Sequence, residues 1–123
     1  LIKACIDNCP SPKLYRDLFK HFFDPCPSVP AFNGLMIPWH RFNYVNPPYS
    51  NKVPWLWKAI QEQELGNTSV FLLPAATGAA WFQDMIMPYA HVHFIRGRIE
   101  LDNGHHPRYD SILAIYYGHK HKP

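Results

Sequence analysis

Apolar residues recur at helical spacing near the start of the chain, where Leu14, Tyr15, Leu18, Phe19 and Phe22 share one stripe of a 3.6-residue period. Ser11 suits the cap of this helix and Pro12 its first position, where a missing N–H costs nothing. Asp24-Pro25 ends the pattern and leaves Phe22-Phe23 as the tail of a very short strand or of the helix itself. Four prolines and one glycine crowd residues 25–41, and no regular element is assigned there. Phe42 to Val45 reads as a strand. Pro54 then opens a helix through about Glu64, with Trp55, Leu56, Ala59 and Ile60 as its apolar stripe and Gly66 as its stop. Ser69 to Leu73, bounded by Asn67 and Pro74, is nearly continuous in apolar residues, as in a strand buried on both faces. Gly78 to Met87 reads as a helix. His91 to Leu101 and Ser111 to Tyr117 read as strands, and Asp102-Asn103-Gly104 between them predicts antiparallel pairing.

The order is alternating α/β. Three segments follow strand ends, namely Asp24, Asn46 and Pro74 to Thr77, so a sheet with these strands parallel brings all three to one crevice.

Composition bounds the reading. A chain of 123 residues is expected to form one minimal domain over 1–123, with 1–10 uncertain and 118–123 a basic tail. Apolar residues make up 47% and charged ones 17%, which excludes intrinsic disorder. The 13 prolines are about twice the usual share of ~5%, so many connections are stiff turns. A formal charge of +3 permits a nucleic-acid partner without demanding one. No apolar run approaches the ~20 residues of a membrane span and no secretory signal is visible, so a soluble, intracellular protein with no membrane partner is expected. Cys5, Cys9 and Cys26 are an odd number and cannot all pair within one chain. The Cys5-x3-Cys9 spacing and the alternating His91 and His93 are poor metal signatures, and no metal is expected.

The chemistry concentrates in Asn46-Pro47-Pro48-Tyr49, directly after the Phe42-to-Val45 strand. Neither proline can continue a ladder, so the chain leaves the sheet abruptly and stiffly. An amide (Asn46), a carbonyl (Pro47) and an aromatic ring (Tyr49) are then presented together. An exocyclic amine conjugated to its ring is a poor nucleophile. Two acceptors that bind both amino hydrogens favour the pyramidal nitrogen of an alkylation transition state. Tyr49 can stack on the base, a contact worth about 1 kcal/mol beyond burial. A Pro-rich turn with a buried tyrosine would give the same four residues.

The surrounding blocks narrow the choice. Ser11-Pro12-Lys13-Leu14-Tyr15, Phe23-Asp24-Pro25-Cys26, Asn46-Pro47-Pro48-Tyr49-Ser50, Trp57-Lys58-Ala59, Leu72-Leu73-Pro74-Ala75 with Thr77, Trp81-Phe82 and Asp84, Phe94-Ile95-Arg96-Gly97-Arg98 and Ser111-Ile112-Leu113 occur in one order. In this series the chain resembles the phage-type DNA N6-adenine methyltransferases, from about Ser11 to Tyr117. The resemblance implies a compact Rossmann-like methyltransferase fold with a mostly parallel sheet ending in an antiparallel strand pair. It implies S-adenosylmethionine as cofactor, with Ser11, Pro12, Asp24, Pro25 and Cys26 at its site. Asn46, Pro47, Pro48 and Tyr49 would be the catalytic residues, and the base, flipped out of double-stranded DNA, would meet Tyr49, Thr77 and Trp81. Arg96 and Arg98 share a strand face and either meet DNA phosphates or pair with Glu100 and Asp102. Asn103 to Tyr109 and the Lys120/Lys122 tail are further expected DNA contacts.

Departures from the family pattern fall between the Asp24 and Asn46 blocks. Asn33-Gly34-Leu35 stands where Asp-Gly-Leu is usual, and Pro38 precedes Trp39 where an acidic residue is usual. They support a second reading, a catalytically inactive methyltransferase-like subunit, structural or nucleic-acid-binding, in a larger assembly. In either case sequence choice must come from loops, a homodimer or a partner subunit. If the source is a virus or phage, the expected location is the host cytoplasm.

Overall fold

The computed structural model describes residues 19–27, 31–97 and 108–119. Its regular elements are strand β1 (Phe42–Val45), a 3-10 turn (Tyr49–Asn51), helix α1 (Val53–Glu64), strand β2 (Thr68–Pro74), a π-wound turn (Phe82–Ile86), strand β3 (His91–Phe94) and strand β4 (Ser111–Tyr116). The expected helix stripe before Phe19 and the part of the expected long strand from Arg98 onward lie outside the described residues.

The sheet runs in the order β1-β2-β4-β3. β1 and β2 are parallel, with Val45 opposite Phe71. β4 is antiparallel to both of its neighbours, β2 and β3. The expectation of a Rossmann-like, mostly parallel sheet is therefore wrong: one strand pair of three is parallel, and the sheet is small and mixed. The physical reason is the place of β4, which inserts between β2 and β3 and makes both of their pairings antiparallel. Among the described residues only α1 provides the long crossover that a parallel neighbour requires. The expected helix over 78–87 is wound for half of its length as the π-turn Phe82–Ile86, closed by the Met87 amide on the Phe82 carbonyl at 3.0 Å. No helix among the described residues is long and apolar enough to cross a membrane.

α1 forms where the sequence places it. The Lys52 carbonyl accepts from the Trp55 and Leu56 amides, Pro54 sits in the first turn, and Gly66 ends the helix at φ 89°, a conformation that costs glycine little. Alternation along β2 and β4 buries both sheet faces. Phe71, Leu73, Ile112, Ala114 and Tyr116 pack with Trp55, Leu56, Ala59 and Ile60 of α1 and with Phe82, Met85 and Ile86. On the other face, Val70, Leu72, Leu113 and Ile115 pack with Phe19, Tyr44 and Ile95.

Buried polar side chains tie the ends of β1 and β2 opposite the Asn46 turn. The Glu62 carboxylate, 1% exposed, accepts from the Trp39 amide at 3.0 Å, the Asn67 side chain at 2.8 Å and the Lys58 ammonium at 2.8 Å. Asn43, wholly buried, donates to the His40 and Thr68 carbonyls and accepts from the His40 amide. Burial pushes the Glu62 carboxyl up, but hydrogen bonds from Lys58, Asn67 and Trp39 outweigh it and hold it below the usual carboxylate range.

Glu62→Ala leaves three donors without their acceptor and is expected to cost about 3 kcal/mol in urea unfolding. Because folding lowers the Glu62 pKa, the associated stabilisation is complete above the unfolded value near 4.5 and is lost as pH falls through the lower folded value. The stability gap between wild type and Glu62→Gln should accordingly narrow in acid. A gap that stays constant from about pH 7 to about pH 3 would show that the ionised carboxylate is not the acceptor.

Candidate active site

Strand directions decide which segments meet. Phe23 forms an isolated parallel bridge with Asn43, its amide bonding the Phe42 carbonyl and its carbonyl accepting from Tyr44. Asp24 therefore leaves the sheet on the side where Asn46 leaves β1. β2 ends there too, and the register of Pro74 with Ser111 and Phe94 with Ile112 brings the start of β4 and the end of β3 to the same edge. One sheet edge thus collects Asp24, Asn46, Pro74 to Thr77, Arg96 and Arg108 to Asp110. The Ala75 amide donates to the Asp110 carbonyl at 2.8 Å and pins two of these segments together.

Asn46 is exposed and Pro47 is buried. Among the described residues, neither the Asn46 amide nor the Pro47 carbonyl has a hydrogen-bond partner. Both acceptors stay unpaired because Pro48 holds extended backbone, φ −61° and ψ 126°, and the following turn satisfies itself through the Asn51 amide on the Pro48 carbonyl. Tyr49 is half-buried. Its ring meets Tyr109 edge to face, centroids 5.6 Å apart and planes at 72°. Burial first, and then the neighbouring Tyr109 side chain, push the Tyr49 phenol far up, so it stays neutral. Lys52 donates to the Tyr49 carbonyl at 2.5 Å and holds its ammonium 4.7 Å above the Trp81 ring. Trp81 is half-buried and offers one ring face to Lys52. Thr77 is exposed, its amide turned back on the Ala75 carbonyl. Arg96 is exposed at the end of β3. Ser11, Pro12 and Arg98 lie outside the described residues.

A cleft of about 320 Å³ opens beside Asp24, lined by Pro25, Cys26, Pro27, Phe32, Asn33, Gly34 and Trp55. It joins Pro25 and Cys26 to residues that sequence reasoning gave no site role. Asp24 shapes the first wall by accepting from the Cys26 amide at 2.9 Å, and Asn33 shapes the second by accepting from the Leu35 amide at 3.1 Å. Burial pushes both the Asp24 carboxyl and the Cys26 thiol up, so Cys26 presents a neutral thiol and not a nucleophile. The walls touch at Gly34, where an added Cβ would lie 1.7 Å from the Pro25 carbonyl oxygen. That glycine, alone in a Pro-rich run, was the signal for a close approach. Tyr109 and Lys52 carried no comparable signal, because their roles depend on contacts made across the fold.

A family model described as DNA N-6-adenine-methyltransferase (Dam) matches residues 29–111, more than half of the chain. The match includes Gly34, the Asn46 turn and Tyr109, but not Asp24 to Pro27. The chain is also similar to a DNA N-6-adenine-methyltransferase of Haemophilus phage HP1 (strain HP1c1), 34% identical over 78 residues, or 61% of this chain and 45% of that protein. It therefore spans less than half the length of this curated relative. No solved structure matches the chain.

Gly34→Ala is expected to force the cleft walls apart at a cost of about 1–3 kcal/mol in urea unfolding. Gly78→Ala is the control, since a Cβ there meets nothing within 4 Å, and should be neutral or slightly stabilising. Equal stability of the two variants would mean that the walls do not touch.

Proposed function

The chain belongs to the DNA N-6-adenine-methyltransferase (Dam) family, and from that premise we propose that it transfers a methyl group from S-adenosylmethionine to the N6 amine of an adenine turned out of double-stranded DNA. The observation that carries the proposal is the two unpaired acceptors at Asn46 and Pro47, on a stiff turn at the edge where the other strand ends gather.

The cleft residues suit the cofactor. Pro25, Pro27, Phe32 and Trp55 offer apolar and aromatic surface for a purine and a thioether carbon chain, and Asn33 offers an amide. Among the described residues no cationic side chain lines the cleft, which suits a sulfonium, and the Asp24 carboxylate stands next to it. When bound, S-adenosylmethionine supplies an electrophilic methyl group.

The remaining steps fall to the chain's own atoms. The Asn46 side-chain oxygen and the Pro47 carbonyl each accept one amino hydrogen of the adenine and draw its lone pair out of the ring. These bonds strengthen as positive charge develops on N6, so they favour the transition state over the bound base. Tyr49 stays neutral and half-buried, and in this reading its ring stacks on the base. Rotation of the base out of the duplex is required because an amine inside the stack cannot meet the methyl in line. The proton passes from N6 to solvent after attack, so no general base has to act first. In this reading Arg96 and Arg108, exposed at the same edge, meet phosphates. Sequence choice is left to loops, a second copy or a partner subunit.

Asn46→Ala should lower transfer of tritiated methyl groups to unmethylated plasmid DNA by about 100-fold or more, the loss typical of a missing transition-state hydrogen bond. Its affinity for S-adenosylmethionine, read by calorimetry, should stay within a few-fold of wild type. Comparable turnover by the two proteins would remove Asn46 from the mechanism. Calorimetric silence from the wild-type chain would favour the non-catalytic subunit instead.

A further inference from the structure

The Tyr49 ring is held from two sides. Lys52 fixes its backbone through the Tyr49 carbonyl, and Tyr109 meets its ring edge to face, with centroids 5.6 Å apart. Tyr109 does not move freely. The carbonyl of its neighbour Asp110 accepts from the Ala75 amide at 2.8 Å, and Ser111 is in register with Pro74 at the end of β2. A ring seated on that anchor restricts the Tyr49 side chain, because the edge-to-face contact sets the ring plane. An edge-to-face partner covers at most one face of the held ring.

We propose that Tyr109 is a positioning residue, which orients the Tyr49 ring so that one face is presented to the flipped adenine. The inference rests on the role of Tyr49 proposed above and adds a residue that acts only through it. Tyr109 transmits the β2–β4 register to the base-stacking ring, so the entrance of β4 helps to set the angle at which the base is received. A small misalignment of a reacting base is costly, with ~1 Å worth up to about 100-fold in rate.

The test is a double-mutant cycle in the full chain, measuring kcat and KM for methyl transfer to unmethylated plasmid DNA. Tyr109→Ala is expected to lower kcat by about 10-fold or more with the KM for S-adenosylmethionine unchanged, and Tyr109→Phe, which keeps the edge contact, to lower it only a few-fold. In a Tyr49→Ala background the effect of Tyr109→Ala should vanish, because it has no ring to orient. A merely structural role would lower activity equally in both backgrounds and would overturn the proposal. Ring-to-ring nuclear Overhauser contacts between Tyr49 and Tyr109 are expected in the wild-type chain whether or not it turns over, and their absence would overturn the clamp independently of activity. Absence of transfer by wild type removes the methyltransferase reading and Tyr109's role in it. Transfer with equal Tyr109 effects in both backgrounds removes the role alone.

Discussion

The buried carboxylate of Glu62 is the constraint on which the rest of the structure depends. It lies near the end of α1 and accepts from the Trp39 amide before β1 and from the Asn67 side chain before β2. One side chain thus joins the crossover helix to the starts of both strands that the helix connects. Asn43 adds a second tie by bonding the Thr68 carbonyl, and the Gly118 amide closes on the Thr68 hydroxyl from the far end of β4. Gly118 is required there, since a Cβ would lie 2.3 Å from the Gly66 carbonyl oxygen. A one-residue slip of β1 would turn Asn43 away from these partners and leave buried donors and acceptors unmet, which costs more than any single hydrogen bond gains.

Because the polar ties sit at one end of the sheet, the opposite end is free to carry chemistry. Tyr44 and Val45 are the last paired residues of β1, and apolar packing on both faces holds them. Beyond them two prolines replace hydrogen bonding with ring stiffness. This is an economical way to keep acceptors unpaired yet fixed: the backbone is rigid without using its own carbonyls. An ordinary turn would have consumed the Pro47 carbonyl in closing itself.

Local features of this fold are legible in the sequence, while pairing is not. The stripe of α1, its proline start and its glycine stop follow from short-range rules, as do the limits of β1, β2 and β4. The turn at Asn46 was visible for the same reason. The place of β4 was not, because β2 and β4 are equally apolar and both are buried on two faces, so nothing local says which lies beside which. The mostly parallel sheet failed at that step. The cleft eluded sequence reasoning as well, since its walls are prolines and turns whose approach depends on Gly34, Trp55 and an Asx-type bond from Asn33. Lys52 facing Trp81, and Tyr109 facing Tyr49, are likewise products of topology.

The same topology explains why a small mixed sheet can gather so many segments. β1, β2 and β3 run in one direction and β4 runs against them, so the ends of three strands and the beginning of the fourth share an edge. An antiparallel insertion therefore contributes its entrance where a parallel strand would contribute its exit. Tyr109, arriving at β4, reaches Tyr49, leaving β1, across the end of β2. Had β4 run parallel to β2, its entrance would lie among the polar ties around Glu62, and the Tyr49 ring would lack its edge partner.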